Sequence, residues 1–170
     1  MCLRTMTTRH RLERIAEDLV GHMHAFQKHE GTTAMCTANA LYLCDALKHN
    51  GGECRVEARI AVYGSLQDLY VTCHVVAVHG EKLYDPSYEV GHNESVEYIK
   101  TVRELSERVH KTDCDAISSA DKDKLVRYVT EQHISLMKVA DKINDGQFVL
   151  PRNGGREYYH RQADYCERMM

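Results

Sequence analysis

The chain has 170 residues, of which 43% are hydrophobic and 28% charged, and its formal net charge is −3. This length suits one domain, and the composition excludes an intrinsically disordered chain. The slightly acidic balance argues against a dedicated nucleic-acid binder, and no apolar run approaches the roughly 20 residues of a membrane-spanning helix.

In the first half of the chain, two helical patterns precede three strand patterns. Apolar residues three and four apart predict the helices, and period-two or valine-rich runs predict the strands. In chain order the predicted elements are helices over 9–27 and 35–49 and strands over 55–62, 69–78 and 83–85. Turns are predicted at Asn50–Gly52, at Gly64–Ser65 and within 79–82, and Pro86 ends the last strand.

The second half of the chain is mainly helical by the same criteria. The predicted elements are helices over 98–109 and 119–143, an edge strand over 148–150 and a short surface helix over 156–170. Apart from that edge strand, we expect no strand beyond Pro86. The order of elements predicts one α+β domain over 1–170, in which helices pack on a small antiparallel sheet. A catalytic core over about 20–95 would precede a helical part over about 96–170.

Cysteine usage bears on the cellular compartment. The seven cysteines are Cys2, Cys36, Cys44, Cys54, Cys73, Cys114 and Cys166. Their number is odd and none forms a Cys-x-x-Cys pair, which favours neither a secreted disulfide scaffold nor a structural zinc site. The histidines at 22, 24 and 29 also lack the spacing of metal ligands. We therefore expect mostly reduced thiols, a cytoplasmic protein, no metal and no organic cofactor.

Cys36 differs from the other cysteines because it is predicted to begin a helix just after a loop. The unpaired backbone N–H groups and the dipole of a helix N-terminus favour a thiolate over a thiol. The thiolate is the nucleophile in covalent catalysis, so Cys36 is the candidate nucleophile. Cys44, Cys54 and Cys73 lie further along the helix or beside and inside strands, where we expect ordinary buried thiols.

His74 and Asp85 are predicted to lie on adjacent strands of one hairpin. If the chain turns through His79 and Gly80, His74 lies directly opposite Asp85, and a four-residue turn makes the two diagonal neighbours on the same face. In the register between these two, shifted by one residue, His74 and Asp85 would lie on opposite faces of the sheet. A carboxylate beside an imidazole fixes its tautomer and stabilises the imidazolium, as a catalytic base requires.

A cysteine at a helix start, a histidine on a strand and an aspartate on the next strand resemble, in that chain order, the transglutaminase-like branch of the papain-like cysteine enzymes. The resembling segments are 36–47, Gly51–Gly52, Arg55–Val56, 74–78 and 83–87. The resemblance implies a papain-like fold with a Cys36–His74–Asp85 triad and no cofactor. It also implies a cysteine-dependent acyl hydrolase or acyl transferase that acts on protein or peptide amides, of the protease, isopeptidase, deamidase or transglutaminase type.

The chain departs from this family at two places. Val75 and Val76 follow the histidine, where family members often have a small residue and a tryptophan, and the chain has no tryptophan. Gln27 is the only glutamine upstream of Cys36, and its offset of nine does not match the oxyanion-hole glutamine of papain-like enzymes. The backbone N–H of Cys36 is the alternative donor.

Two alternative functions stay open at this point. The fold could serve as a catalytically silent scaffold for binding or assembly. It could also belong to a small-molecule acyltransferase similar to the arylamine N-acetyltransferases, which share the order of the triad. An enzyme requires a Cys36 that is accessible and more reactive than the other cysteines, whereas a scaffold does not.

Overall fold

The computed structural model describes residues 3–64, 69–93, 95–111 and 118–170. Its elements in chain order are α1 (Leu3–Glu30), α2 (Cys36–His49), β1 (Arg55–Gly64), β2 (Leu69–His79), β3 (Lys82–Tyr84), α3 (Tyr88–Gly91), β4 (Glu97–Ile99), α4 (Val102–Lys111), α5 (Ser119–Asn144) and α6 (Glu157–Met169). A π-helical turn, Arg152–Arg156, leads into α6. The predicted α+β class is confirmed. Ser65 of the predicted turn, Cys2 and Cys114 lie outside the described residues.

The four strands form one antiparallel sheet in the order β3–β2–β1–β4. The long β1–β2 hairpin is its centre, whereas β3 pairs only with Ala77–His79 of β2 and β4 only with Ile60–Val62 of β1. Within the described residues, the outer edge of β2 before Ala77 therefore has no strand beside it. This open edge lies next to the start of α2.

One face of the sheet forms the core with the helices. Alternate residues of a strand share a face, and the buried ones on this face include Val56, Ile60, Val62, Val75 and Ala77. At one end they pack against Leu43 and Leu47 of α2 and Ala140 and Ile143 of α5. At the other end they pack against Leu105 of α4 and Val129 of α5. This packing fixes α2 against β2 and so determines where Cys36 lies.

The prediction of a helix beginning at Tyr98 is wrong, as is the expectation that strands end at Pro86. Tyr98 belongs to β4, which pairs with β1, and the helix begins only at Val102. Tyr98 has the right spacing from Val102 and Leu105 for a helix, but pairing with β1 overrides that local pattern. A capping signal marks the true start, since Thr101 Oγ1 accepts a hydrogen bond from the Glu104 N–H at 3.2 Å.

The predicted edge strand over 148–150 is absent, because these residues adopt no regular structure. The place beside β1 where such a strand would pair is occupied by a side chain. Asn144 accepts from the Val56 N–H at 2.8 Å and donates to the Val56 carbonyl at 2.9 Å, as a neighbouring strand would. Phe148 instead packs against the core.

The terminal helices extend further and pack more closely than their sequence patterns suggest. α1 covers Leu3–Glu30 rather than 9–27. α6 is not confined to the surface, since Tyr158, Gln162 and Cys166 are fully buried along one side of it. These residues recur every fourth position and form a stripe that the many surrounding charges obscure in the sequence. α6 thereby becomes part of the structure around the candidate site.

The expectation that Cys44 and Cys54 are ordinary thiols is wrong, because the structure joins them in a disulfide. Their Cα atoms lie 5.1 Å apart, within the range that a disulfide spans. The short turn at Asn50–Gly52 folds the end of α2 back beside the start of β1, which brings the two sulfurs together. Cys36, Cys73 and Cys166 are free thiols.

Candidate active site

Cys36 is the first residue of α2 and follows a loop that contains Ala34. The helix begins without a side-chain cap at Met35, so its first N–H groups stay available at this end. Ala34 has a φ of +60°, an uncommon conformation for a residue other than glycine. The predicted position of Cys36 at a loop-to-helix junction is confirmed.

His74 and Asp85 are brought together in a buried pair. His74 Nε2 donates to Asp85 Oδ1 at 2.8 Å, and the two residues are 5% and 8% exposed. The hairpin turns through Gly80 and Glu81, because His79 pairs with Lys82. The predicted turn over 79–82 is therefore confirmed, whereas the alternative turn through His79 and Gly80 is wrong. The observed register makes His74 and Asp85 diagonal neighbours on one face, as expected for the longer turn. Gly80 takes the positive φ, +61°, that such a turn needs.

The Cys36 thiol and the His74 ring line the same cleft and are close enough to shift each other's pKa. Since Nε2 of His74 is occupied by Asp85, the ring nitrogen that serves Cys36 is Nδ1. Burial opposes ionisation of the thiol, but the hydrogen bond and charge of His74, with hydrogen bonds from the Val75 N–H and from Thr37, lower the pKa of Cys36. The arrangement therefore favours a thiolate.

The pKa of His74 shifts in the opposite direction to that of Cys36. Burial disfavours the imidazolium, but hydrogen bonds to Asp85 and Cys36 and the charges of both outweigh it and raise the pKa of His74 to about 10. A lowered thiol pKa beside a raised imidazole pKa describes a thiolate–imidazolium pair over the pH range between the two. The thiolate of such a pair is the nucleophilic form of cysteine.

Asp85 is held in place by neighbours that the sequence did not predict. Tyr98 Oη donates to Asp85 Oδ2 at 2.5 Å, and the Ser87 N–H donates to Oδ1 at 2.9 Å. His24 Nε2 donates to the Asp85 carbonyl at 3.0 Å. Gly91 lies so close that an added Cβ would be 2.8 Å from this carbonyl. These contacts hold both carboxylate oxygens and the backbone of Asp85, so the carboxylate keeps its orientation toward His74.

Replacing Tyr98 with phenylalanine is expected to lower the melting temperature by about 4 °C. The loss of a hydrogen bond to a buried carboxylate costs about 1–2 kcal/mol, and each kcal/mol corresponds to about 2–4 °C for a domain of this size. Alkylation of Cys36 should change by less than about threefold, because the charge on Asp85 is retained. Thermal unfolding followed by circular dichroism measures the shift. An unchanged melting temperature would contradict the contact.

A buried polar network links α2 to the segment after Asp85. Asn39 Nδ2 donates to Ser87 Oγ at 3.0 Å, and Tyr158 Oη donates to Asn39 Oδ1 at 2.8 Å. Asn39 lies one helical turn after Cys36. These hydrogen bonds fix the positions of Cys36, the segment after Asp85 and α6 relative to one another. Once buried, the polar groups need these partners because water cannot replace them.

Gln27 serves this framework and is not free to stabilise an oxyanion. Its amide nitrogen donates to the Pro86 carbonyl at 2.7 Å and to Gln162 Oε1 at 3.2 Å, which uses both of its hydrogens. Its oxygen accepts from the Tyr88 N–H at 2.8 Å. The N-terminal N–H groups of α2, that of Cys36 among them, are candidate donors for an oxyanion hole.

The candidate triad opens into a cleft of about 350 Å³. The loop before Cys36, the outer part of β2, the α3 segment and one side of α5 form its walls. Among the lining residues are Cys36, Thr72, His74, Glu89 and Gln132. Cys36 and Cys73 are both partly exposed there, whereas Cys166 is fully buried. The nucleophile candidate is therefore accessible from solvent.

The other free cysteines have ordinary or unfavourable environments. Burial and the nearby charge of Cys36 raise the pKa of Cys73 to about 11, and its thiol donates to the Val129 carbonyl at 3.2 Å. Burial likewise raises the pKa of Cys166 to about 11. Within the described ranges, no group of three or more His, Cys, Asp or Glu side chains is arranged to hold a metal ion.

No family model, curated protein or solved structure matches this chain. Across the described parts of the chain, every helix is too short or too polar to cross a lipid bilayer. The evidence for function therefore comes from the geometry of the cleft and its three aligned side chains.

Proposed function

We propose that this chain is a cysteine-dependent acyl hydrolase or acyl transferase with a transglutaminase-like fold, acting on protein or peptide amides. The observation that carries the proposal is the placement of the partly exposed Cys36 beside His74 in one cleft, with His74 hydrogen-bonded to the buried Asp85. A cysteine kept for packing alone needs neither an oriented imidazole nor an opening to solvent.

The first half of the reaction uses groups already in place. The Cys36 thiolate attacks the carbonyl carbon of the amide, and the carbonyl electrons move to the oxygen, which the N–H groups at the start of α2 stabilise. The His74 imidazolium gives its proton to the leaving nitrogen as the C–N bond breaks. An amine or ammonia leaves, and the acyl group stays on sulfur as a thioester.

The second half reuses His74 as a base. Neutral His74 takes a proton from water or from a second amine, which attacks the thioester carbon. The C–S bond breaks and the thiolate is restored beside the imidazolium. Asp85 keeps its hydrogen bond to Nε2 throughout and so holds Nδ1 toward the sulfur.

The open edge of β2 favours an extended peptide as substrate. The Val75 N–H reaches Cys36 and so points away from β1. Since a strand residue alternates its backbone groups between its two neighbours, those of Val71 and Cys73 also face the cleft side. A peptide that pairs with this edge would run directly toward the nucleophile.

Acyl transfer to Cys36 is testable with p-nitrophenyl acetate as the acyl donor. We expect an acetyl group on Cys36 in the native protein, found by peptide mass spectrometry, and none at that site in His74→Ala. A pool of glutamine-containing peptides then tests turnover through release of ammonia or of peptide fragments, with Cys36→Ala as the control. If Cys36 is acetylated no faster than Cys73, the silent-scaffold alternative replaces this proposal.

A further inference from the structure

The cleft has an asymmetric charge. Among its described lining residues, Glu89 contributes a carboxylate and none is lysine or arginine. The His24 and His92 rings pack against Tyr88 of α3, and the Lys28 ammonium lies 6.0 Å from the centroid of the Tyr88 ring. None of these three basic residues lines the cleft. Apart from the His74 imidazolium, which is paired with the Cys36 thiolate and with Asp85, an anionic substrate would therefore meet no compensating charge, whereas a cationic one would meet a carboxylate.

Glu89 lies close to the nucleophile. Its Oε2 accepts a hydrogen bond from the Ala34 N–H at 3.1 Å. Ala34 precedes Cys36 by two residues, a span of at most about 7 Å along the chain. Glu89 is exposed, and within the described residues no lysine, arginine or histidine forms an ion pair with it. Its charge is thus open to a ligand in the cleft.

Tyr63 provides an aromatic surface beside this carboxylate. Tyr63 and Glu89 line the same cleft, and burial together with the charge of Glu89 raises the pKa of Tyr63. Tyr63 stacks on Tyr70 with ring centroids 5.5 Å apart and planes 15° apart, and it lines the same cleft. A carboxylate next to an aromatic face is a favourable environment for an ammonium or guanidinium group.

We propose that the cleft selects substrates with a cationic group near the reacting acyl carbon, held between Glu89 and Tyr63. The ligand class is a peptide with a basic side chain, and acidic peptides are disfavoured. This inference rests on the proposed function, since it assigns a substrate preference to the same nucleophile. Glu89 attracts the positively charged group of the substrate and takes no part in the proton transfers.

Two methanethiosulfonate reagents of matched length test this preference without turnover. One carries a trimethylammonium group and the other a sulfonate. In each case the Cys36 thiolate attacks the thioalkyl sulfur, a new S–S bond forms, and methanesulfinate leaves with the electron pair of the broken S–S bond. Rates at Cys36 are read by peptide mass spectrometry, and each is divided by the rate of that reagent with free 2-mercaptoethanol.

We expect the cationic reagent to be favoured about five- to tenfold after this correction. Glu89→Gln should reduce the preference by at least about threefold, because the amide oxygen can keep the bond to Ala34 while the charge is lost. Glu157→Gln, which removes an exposed carboxylate on α6, should leave the preference unchanged. A smaller preference in Tyr63→Leu would support the aromatic contribution.

The outcomes separate this inference from the proposed function. Equal corrected rates for both reagents at a reactive Cys36, or a preference that Glu89→Gln leaves intact, would overturn the charge selection alone. A Cys36 that reacts with neither reagent would overturn the proposed function and the selection with it.

Discussion

Replacing Asp85 with asparagine is expected to slow alkylation of Cys36 at pH 6 by about tenfold or more, although the side chain keeps its shape. Asp85 supplies both a hydrogen bond and a charge that raise the pKa of His74. Without that charge the imidazolium is less stable, so the adjacent thiolate loses its counter-ion. A change of one pKa unit alters the ionised fraction about tenfold well below the pKa.

Iodoacetamide labelling at pH 6 and pH 9, mapped to Cys36 by mass spectrometry, measures this effect. At pH 9 the difference should shrink to within about threefold, since an ordinary thiol is then largely ionised. Asp45→Asn is the matched control, because Asp45 is an exposed residue of α2, the helix that begins at Cys36. Among the contacts described, its carboxylate accepts a hydrogen bond only from Tyr159, which lies far along the chain. An Asp85→Asn protein that labels like the wild type at pH 6 would show that Asp85 does not tune the pair.

Removal of the disulfide with Cys44→Ala and Cys54→Ala together is expected to lower the free energy of unfolding by about 3 kcal/mol. The ten-residue separation closes a short loop, for which the loss of chain entropy in the unfolded state predicts a stabilisation of that size. Both sulfurs are also buried, so the loss of packing adds to the effect. Cys36 lies two turns earlier in α2 and should keep its labelling rate within about threefold.

Urea unfolding of the wild type and the double variant measures the difference. Free thiols counted in the denatured protein provide the check on the bond itself, since the unreduced protein should show two fewer thiols than the reduced one. Equal counts would contradict the disulfide. Disulfides persist in oxidising compartments and are rare in reducing ones, so the expected cytoplasmic location stays a prediction that this count also tests.

The candidate triad was predictable because each of its members depends on local signals. The loop before Cys36 and the helical spacing after it place the thiol at a helix start. His74 and Asp85 share a face of the sheet in every second register of the hairpin, because a shift by one residue moves a side chain to the other face. The observed turn through Gly80 and Glu81 gives one of the registers in which they share a face. The turn over 79–82 was predicted as well, and the structure decides between its two possible registers.

The surroundings of the triad were not predictable, because they depend on contacts between distant segments. Tyr98 fits the periodicity of the following helix and reaches Asp85 only through the pairing of β4 with β1. Asn39 and Tyr158 are 119 residues apart in sequence, and neither belongs to a motif. Cys44 and Cys54 fall in different elements, so their pairing follows only from the packing of α2 beside β1.

The pH dependence of Cys36 alkylation, compared between the wild type and His74→Ala, tests the central claim most directly. The lowered pKa of Cys36 keeps the thiolate populated as the pH falls below the ordinary thiol range, and the raised pKa of His74, about 10, keeps its partner charged. We predict that wild-type Cys36 labels more than about tenfold faster than the other cysteines at pH 6, where an ordinary thiol is under about 1% ionised. In His74→Ala this advantage should be lost, with reactivity returning only toward pH 9. A Cys36 whose rate rises with pH like that of a free thiol, in both proteins alike, would contradict the thiolate–imidazolium pair and the acyl chemistry proposed on it.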